Sequence, residues 1–156
     1  MMKKLNKEEI ISLLIPLSVG LLSGLLAMGG IRAFDSLVKP LLSPPGFVFP
    51  IVWTILYALM GISSYIIYNE NSYYSDCCLK IYLINLFVNF LWTPLFFGLN
   101  LRLFSFIWII LLDIVIVYMI ICFYKINKKA AYLQIPYLIW SLFATYLNLA
   151  FYILNR

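Results

Sequence analysis

The chain has 156 residues, of which 65% are hydrophobic and 11% charged, with a formal net charge of +5. A mean hydropathy of +1.01 lies far outside the range of soluble domains, so the bilayer is its solvent and an all-α membrane protein is the expected fold class. The basic excess sits in short segments beside apolar runs, with no basic domain to dock a duplex, which excludes nucleic acid as a partner. There is no histidine; without the commonest metal ligand, general base and axial haem ligand, no metal site is expected.

Five apolar stretches of about 20–25 residues, each enough to cross ~30 Å of hydrocarbon, are predicted as membrane helices over 10–31, 47–68, 79–101, 103–124 and 130–154. Together they make one domain, 1–156, a five-transmembrane-helix bundle. The first stretch follows Lys3, Lys4 and Lys7 like the hydrophobic region of a signal peptide, but it is too long and lacks a small-residue cleavage site, so it is read as a retained helix. Gly20 and Gly24, with Ser23 and Ala27 nearby, form a small-xxx-small pattern suited to close packing, either inside the bundle or between protomers.

Residues 32–46 are long for a connection and carry Arg32, Lys39, Pro40, Pro44, Pro45 and Gly46. The prolines fix backbone angles and remove donors, giving a rigid, non-helical corner. Its apolar residues predict a lid folded back over one end of the bundle. On the second span Trp53, Tyr57, Ser64 and Tyr68 follow helical spacing and make an aromatic-and-hydroxyl face.

The third span is the most informative. Asn85, Asn89, Trp92 and Phe96 fall on one stripe of a helix, with Pro94 close by. An unpaired amide in hydrocarbon costs several kcal/mol, so this stripe faces the bundle interior or a polar-lined cavity. Asp113 in the fourth span is the single acidic residue deep in a span, expected to be protonated or bonded to hydroxyls such as Tyr118 or Thr145. On the fifth, Trp140, Ala144, Leu147 and Phe151 share a stripe beside Tyr137, Ser141 and Asn148; a tryptophan next to a small alanine is a slot for a flat ring.

Cys77, Cys78 and Cys122 are too few, and wrongly spaced, for a disulfide framework or thiolate metal site, and adjacent cysteines rarely pair with each other; they read as filler or interface residues. With five spans, Lys3, Lys4, Lys7, Lys80, Lys125, Lys128 and Lys129 lie toward one side, against Arg32, Lys39, Arg102 and Arg156 on the other, placing the N-terminus in the cytoplasm. Leu149, Tyr152 and Arg156 satisfy a loose sterol-contact pattern that aromatic-rich membrane chains often meet by chance.

Four blocks occur in order: Lys39-Pro40-x3-Pro44-Pro45 followed by Trp53 and Tyr57; Asn89-x2-Trp92-x-Pro94-x-Phe96-Phe97-Gly98; Asp113; and Pro136-Tyr137-x2-Trp140-x2-Phe143-Ala144-x2-Leu147-Asn148. Over nearly its whole length the chain thereby resembles the TspO/MBR family, the tryptophan-rich sensory proteins related to the mitochondrial translocator protein. The resemblance implies a five-helix bundle in the bacterial cytoplasmic membrane, often a homodimer, with a pocket closed by the loop between helices 1 and 2. It implies binding of a tetrapyrrole, protoporphyrin IX above all, and of isoquinoline carboxamide and benzodiazepine ligands, with transport or sensing as the role and no separate cofactor. Carried over by position, Trp53, Tyr57, Asn85, Asn89, Trp92, Trp140, Phe143, Ala144 and Leu147 belong to the pocket, and Arg32, Lys39, Pro40, Pro44 and Pro45 to the lid. Ala33 and Leu42 stand where many relatives have tryptophan, and Phe34 where tyrosine is common. Two alternatives stand beside this reading. One is an enzyme degrading porphyrin in light and oxygen, with Trp53 and Trp140 in the photochemistry; the other is a structural membrane subunit with no ligand.

Overall fold

A computed structural model describes residues 6–30 and 36–156, all of whose regular elements are helical. Arg32, Ala33 and Phe34, like Lys3 and Lys4, lie outside the described residues. The helices are α1 (Lys7–Ala27), α2 (Val48–Asn69), α3 (Ser75–Thr93), α4 (Arg102–Ile126), α5 (Lys128–Tyr132) and α6 (Ile135–Leu154). A 3₁₀ turn, Met28–Gly30, follows α1, and a π-helical segment, Pro94–Gly98, follows α3. Five spans are long and apolar enough to cross a membrane: α1, α2, α4, α3 with its π segment, and α5 with α6. Large apolar side chains such as Leu21, Ile55, Phe87, Ile114 and Ile139 are exposed on the outside of the bundle, where lipid would cover them.

Helix ends differ from the predicted spans for local reasons. α1 begins three residues early because the Glu9 carboxylate accepts the Asn6 backbone N–H at 3.4 Å, half of a capping box. α3 begins at Ser75, whose hydroxyl accepts the Ser72 backbone N–H at 3.2 Å, with Asp76 in the positive first turn. Pro94 has no N–H to continue the ladder, and the chain widens there, with the Leu99 N–H reaching the Pro94 carbonyl at 2.9 Å. The last span is split. Asn127 caps α5 by accepting the N–H groups of Lys129 (2.9 Å) and Ala130 (3.3 Å), while Pro136 permits only a fresh helix start at α6.

Around the bundle the helices follow the order α2, α1, α3, α4, α6, each packing on the next. The ring closes from α6 to α2 through side chains: Phe49 meets Trp140 at 5.9 Å between ring centres, and Trp53 meets Tyr137 at 6.1 Å. Pro16 lies inside α1 and cannot donate to the Ser12 carbonyl. Gly61 of α2 sits against that freed carbonyl: a Cβ on Gly61 would fall 2.8 Å from both Ser12 O and Leu13 Cα. Farther along, a Cβ on Gly20 would overlap the Tyr57 ring, and one on Gly30 would overlap the Phe97 carbonyl. Gly20 of the small-residue pattern is therefore an internal contact. Gly24 is not, since among the described residues a Cβ there meets nothing within 4 Å.

The cysteine reading needs correction. Cys78 near the start of α3 and Cys122 near the end of α4 form a disulfide, with Cα atoms 5.8 Å apart, and Cys77 alone is free. The pairing depends on how two antiparallel helices register against each other, which cysteine spacing does not encode.

Candidate ligand site

α1 is held to α2 at Gly61 and Gly20, but its C-terminal end leans onto the π segment through Gly30. A wedge opens between the C-terminal half of α1 and the N-terminal half of α2. It forms a cavity of about 630 Å³, within the range that holds a drug-sized ligand. Gly24 and Ser23 line it from α1, Trp53 and Tyr57 from α2, Trp92 from α3, and Phe97 from the π segment. Among the described residues no charged side chain lines it, and its outer edge carries Leu21, Leu25 and Met28, which are exposed toward lipid.

Trp53 is the hub of the aromatic wall, with ring centres 5.5 Å from Tyr57 and 6.2 Å from Trp92. Trp92 stacks on Phe96 at 5.7 Å, and its indole N–H donates to Asn148 Oδ1 at 3.4 Å. The Ser23 and Thr54 hydroxyls donate to the carbonyls of Phe90 (3.2 Å) and Pro50 (2.8 Å), leaving only acceptor lone pairs for a guest.

The predicted stripe of α3 is buried as expected. Asn85 and Asn89 are 0% exposed, Trp92 3% and Phe96 6%. The two amides do not line the cavity. They belong to a chain of hydrogen bonds at the bundle centre: Tyr57 Oη donates to Asn89 Oδ1 (2.8 Å), Asn89 Nδ2 donates to Tyr137 Oη (2.8 Å), and Tyr137 Oη donates to Asn85 Oδ1 (3.3 Å). Tyr57 thus shows its ring to the cavity and its hydroxyl to the polar chain. Asn85 Nδ2 is buried without a hydrogen-bond partner among the described residues.

Ala144 and Leu147 lie across the aromatic wall from the cavity. With Phe49, Trp92, Phe96, Phe97, Asn148 and Phe151 they enclose about 10 Å³, barely room for one water. Phe49, Trp92 and Phe97 line both spaces and form the partition between them. Trp140, beside Phe49, and Phe143 are half-buried, their ring centres 5.5 Å apart, and the buried Trp140 Nε1 has no hydrogen-bond partner among the described residues. Of the nine sequence-predicted pocket residues, Trp53, Tyr57 and Trp92 line the open cavity and the other six stand behind it.

The segment from Ser36 to Gly46 is strapped to the end of α6. Asn155 Oδ1 accepts the Val38 N–H at 2.8 Å, and Asn155 Nδ2 donates back to the Val38 carbonyl at 3.0 Å. Tyr146 Oη donates to the Leu41 carbonyl at 3.0 Å, and Leu42 takes a left-handed φ of 69°. Of the predicted lid residues, Pro40 is buried, Pro44 half-buried, and Lys39 and Pro45 exposed. Only Gly46 of the described part of this segment reaches the cavity wall.

Asp113 is satisfied within the bundle: its two carboxylate oxygens contact the Ser141 hydroxyl at 2.5 Å and the Thr145 hydroxyl at 2.6 Å. Thr145 was anticipated, whereas Tyr118 is 60% exposed and turned outward. This cluster joins α4 to α6 and lines neither space. Among the described residues no cluster of potential metal ligands occurs.

Comparison with known proteins agrees with this architecture. The sequence profile of the TspO/MBR family matches residues 12–154. The Tryptophan-rich protein TspO of Archaeoglobus fulgidus is 38% identical over 146 residues, covering 92% of this chain and 94% of that one. Its namesake in Chlorobaculum tepidum is 36% identical over 124 residues, 78% of each chain. The Translocator protein of Homo sapiens is 32% identical over 122 residues, 76% of this chain and 72% of its own.

Proposed function

Because the chain belongs to the TspO/MBR family, we propose that it is an integral membrane receptor or carrier for a flat hydrophobic ligand, a tetrapyrrole such as protoporphyrin IX, held in the wedge between α1 and α2. The observation that carries this reading is a cavity of about 630 Å³, uncharged in its described lining and faced by Trp53, Tyr57 and Trp92, in a membrane bundle. Stacking on large aromatic faces suits a planar ring, and the lipid-facing edge suits a guest that partitions first into the bilayer. With no cation among the described lining residues, the ligand's carboxylates stay outside the wedge, on the side of Lys39. The exposed charge of Lys39 there favours encounter more than it adds affinity.

Larger guests would need the partition to move. Rotation of Phe49 and Trp92 would join the wedge to the space beside Ala144 and Leu147, and would offer a carbonyl or carboxylate to the unpartnered Trp140 N–H. Isoquinoline carboxamides and benzodiazepines, which carry carbonyl acceptors on flat aromatic frames, fit the same description. The same reading takes the protein as a homodimer in the bacterial cytoplasmic membrane with its N-terminus in the cytoplasm, the side favoured by the lysines.

The test is a protoporphyrin IX titration of protein in lipid nanodiscs, followed by tryptophan fluorescence, with Trp53→Ala and Trp108→Phe proteins alongside. Saturable quenching weakened about tenfold by Trp53→Ala and unaffected by Trp108→Phe is expected. Equal, non-saturating quenching in all three proteins would mean partitioning into lipid and would remove the ligand reading.

A further inference from the structure

The Cys78–Cys122 bond lies at the end of the bundle that also bears Lys7, Lys80, Lys125, Lys128 and Lys129. Cys78 is the fourth residue of α3, and Cys122 is one helical turn from the end of α4, so the bond sits about 6 Å inside the helix ends, near headgroup depth. Lysines mark this end as the cytoplasmic one. Cytoplasmic thiols are normally kept reduced, and disulfides found there are mostly catalytic or redox-responsive. A disulfide whose two cysteines are brought together by helix packing, at an end read as cytoplasmic, is therefore a candidate for reversible chemistry.

We propose that Cys78–Cys122 is a reversible redox bond, opened by a cytoplasmic dithiol and closed by a low-molecular-weight disulfide, that sets how firmly α3 is held against α4. The two sulfurs differ in access: Cys78 is 0% exposed, whereas Cys122 is partly exposed. A thiolate of the dithiol attacks Cys122 Sγ, the Sγ–Sγ bond breaks, and Cys78 leaves as a thiolate that takes up a proton. The second thiol of the reductant then displaces Cys122 from the mixed disulfide. Two electrons pass to the protein, and the reductant ends as its own disulfide; on reclosure the Cys122 thiolate attacks the low-molecular-weight disulfide and releases one thiol, and the Cys78 thiolate then displaces the second from the mixed disulfide. α3 carries Asn85 and Asn89 two and three turns beyond Cys78, so its hold on α4 bears on the polar chain at the bundle centre.

This inference rests on the proposed orientation and not on the ligand. In cells expressing the full chain, thiols are trapped by acid quenching and counted by the gel shift of a maleimide–polyethylene glycol conjugate, before and after dithiothreitol or diamide treatment and washout. A bond that opens, closes and returns to its starting fraction is expected. A bond that is fully closed or fully absent under every treatment would overturn the proposal. Cys77 is exposed, so in a Cys78→Ser/Cys122→Ser protein a membrane-impermeant maleimide reports the side of the membrane. Labelling only after the cells are opened is expected; labelling of intact cells would put this end outside and overturn the proposal through its orientation. For purified protein, reduction is expected to lower the melting temperature by about 3–8 °C, with no such shift in Cys122→Ser. Equal melting of the reduced and oxidised protein would show that the bond holds nothing.

Discussion

Gly24→Leu separates the wedge from every other place a porphyrin could sit. Among the described residues a Cβ at position 24 meets nothing within 4 Å, and the residue lines the cavity, so leucine enters open space, and the helix gains the roughly 0.8 kcal/mol by which glycine disfavours it. The fold should survive with its melting temperature unchanged or slightly raised. A ligand in the wedge would lose the space of four side-chain carbons. At about 0.3 kcal/mol per ligand atom displaced, that is ~1.2 kcal/mol, and forcing ring and leucine together adds the ~1–3 kcal/mol typical of overpacking. The sum, about 2–4 kcal/mol, corresponds to a loss of ~30- to 1000-fold in affinity. Protoporphyrin IX titration of wild-type and Gly24→Leu protein in the same nanodiscs, with thermal melts beside it, reads both quantities. Wild-type affinity in a folded Gly24→Leu protein would refute the reasoning and move the ligand out of the wedge.

Tyr57→Phe removes the donor to Asn89 Oδ1 and should cost about 1 kcal/mol, seen as a lower melting temperature; no shift would mean that water replaces the hydroxyl at the bundle centre. Gly61→Val drives a side chain into Ser12 O and Leu13 Cα, both 2.8 Å from the new Cβ. It should part α1 from α2 and destabilise by about 2–3 kcal/mol, whereas Gly24→Val should not, and equal melts of the two would contradict the packing described. Asn155→Ala deletes both hydrogen bonds to Val38, so backbone exchange at Val38 should quicken at least tenfold while α2 stays protected. In Asp113→Asn, an amide N–H₂ faces one of the two hydroxyls that now contact carboxylate oxygens. A loss of about 1 kcal/mol in stability with unchanged porphyrin affinity is expected; a changed affinity would tie the α4–α6 cluster to the site.

Much of the fold is legible because hydropathy and helical period are local properties. The five spans stand out by their apolar length, and the stripe of Asn85, Asn89, Trp92 and Phe96 is buried as its spacing requires. Errors at the starts of α1 and α3 come from polar residues that hydropathy trims off: Asn6 is the N-cap of α1, and Ser75 is the first residue of α3 and accepts the Ser72 N–H of the turn before it. The open cavity was less legible. Trp140 and Ala144 share a plausible stripe, yet which face of α6 meets a void depends on how α1 leans, and that lean follows from Gly61 and Gly30 meeting particular carbonyls. Likewise, a C-terminal asparagine gives no sign that it will grip Val38 more than a hundred positions earlier, and cysteine spacing gives none that Cys78 will face Cys122. These features depend on register between helices.

The decisive measurement is a crystal structure of the protein in lipid with protoporphyrin IX bound. The tetrapyrrole ring is expected between α1 and α2, in van der Waals contact with Trp53 and the Gly24 backbone, its carboxylates directed out of the wedge. A ring held elsewhere, with the wedge filled by lipid, would contradict that placement.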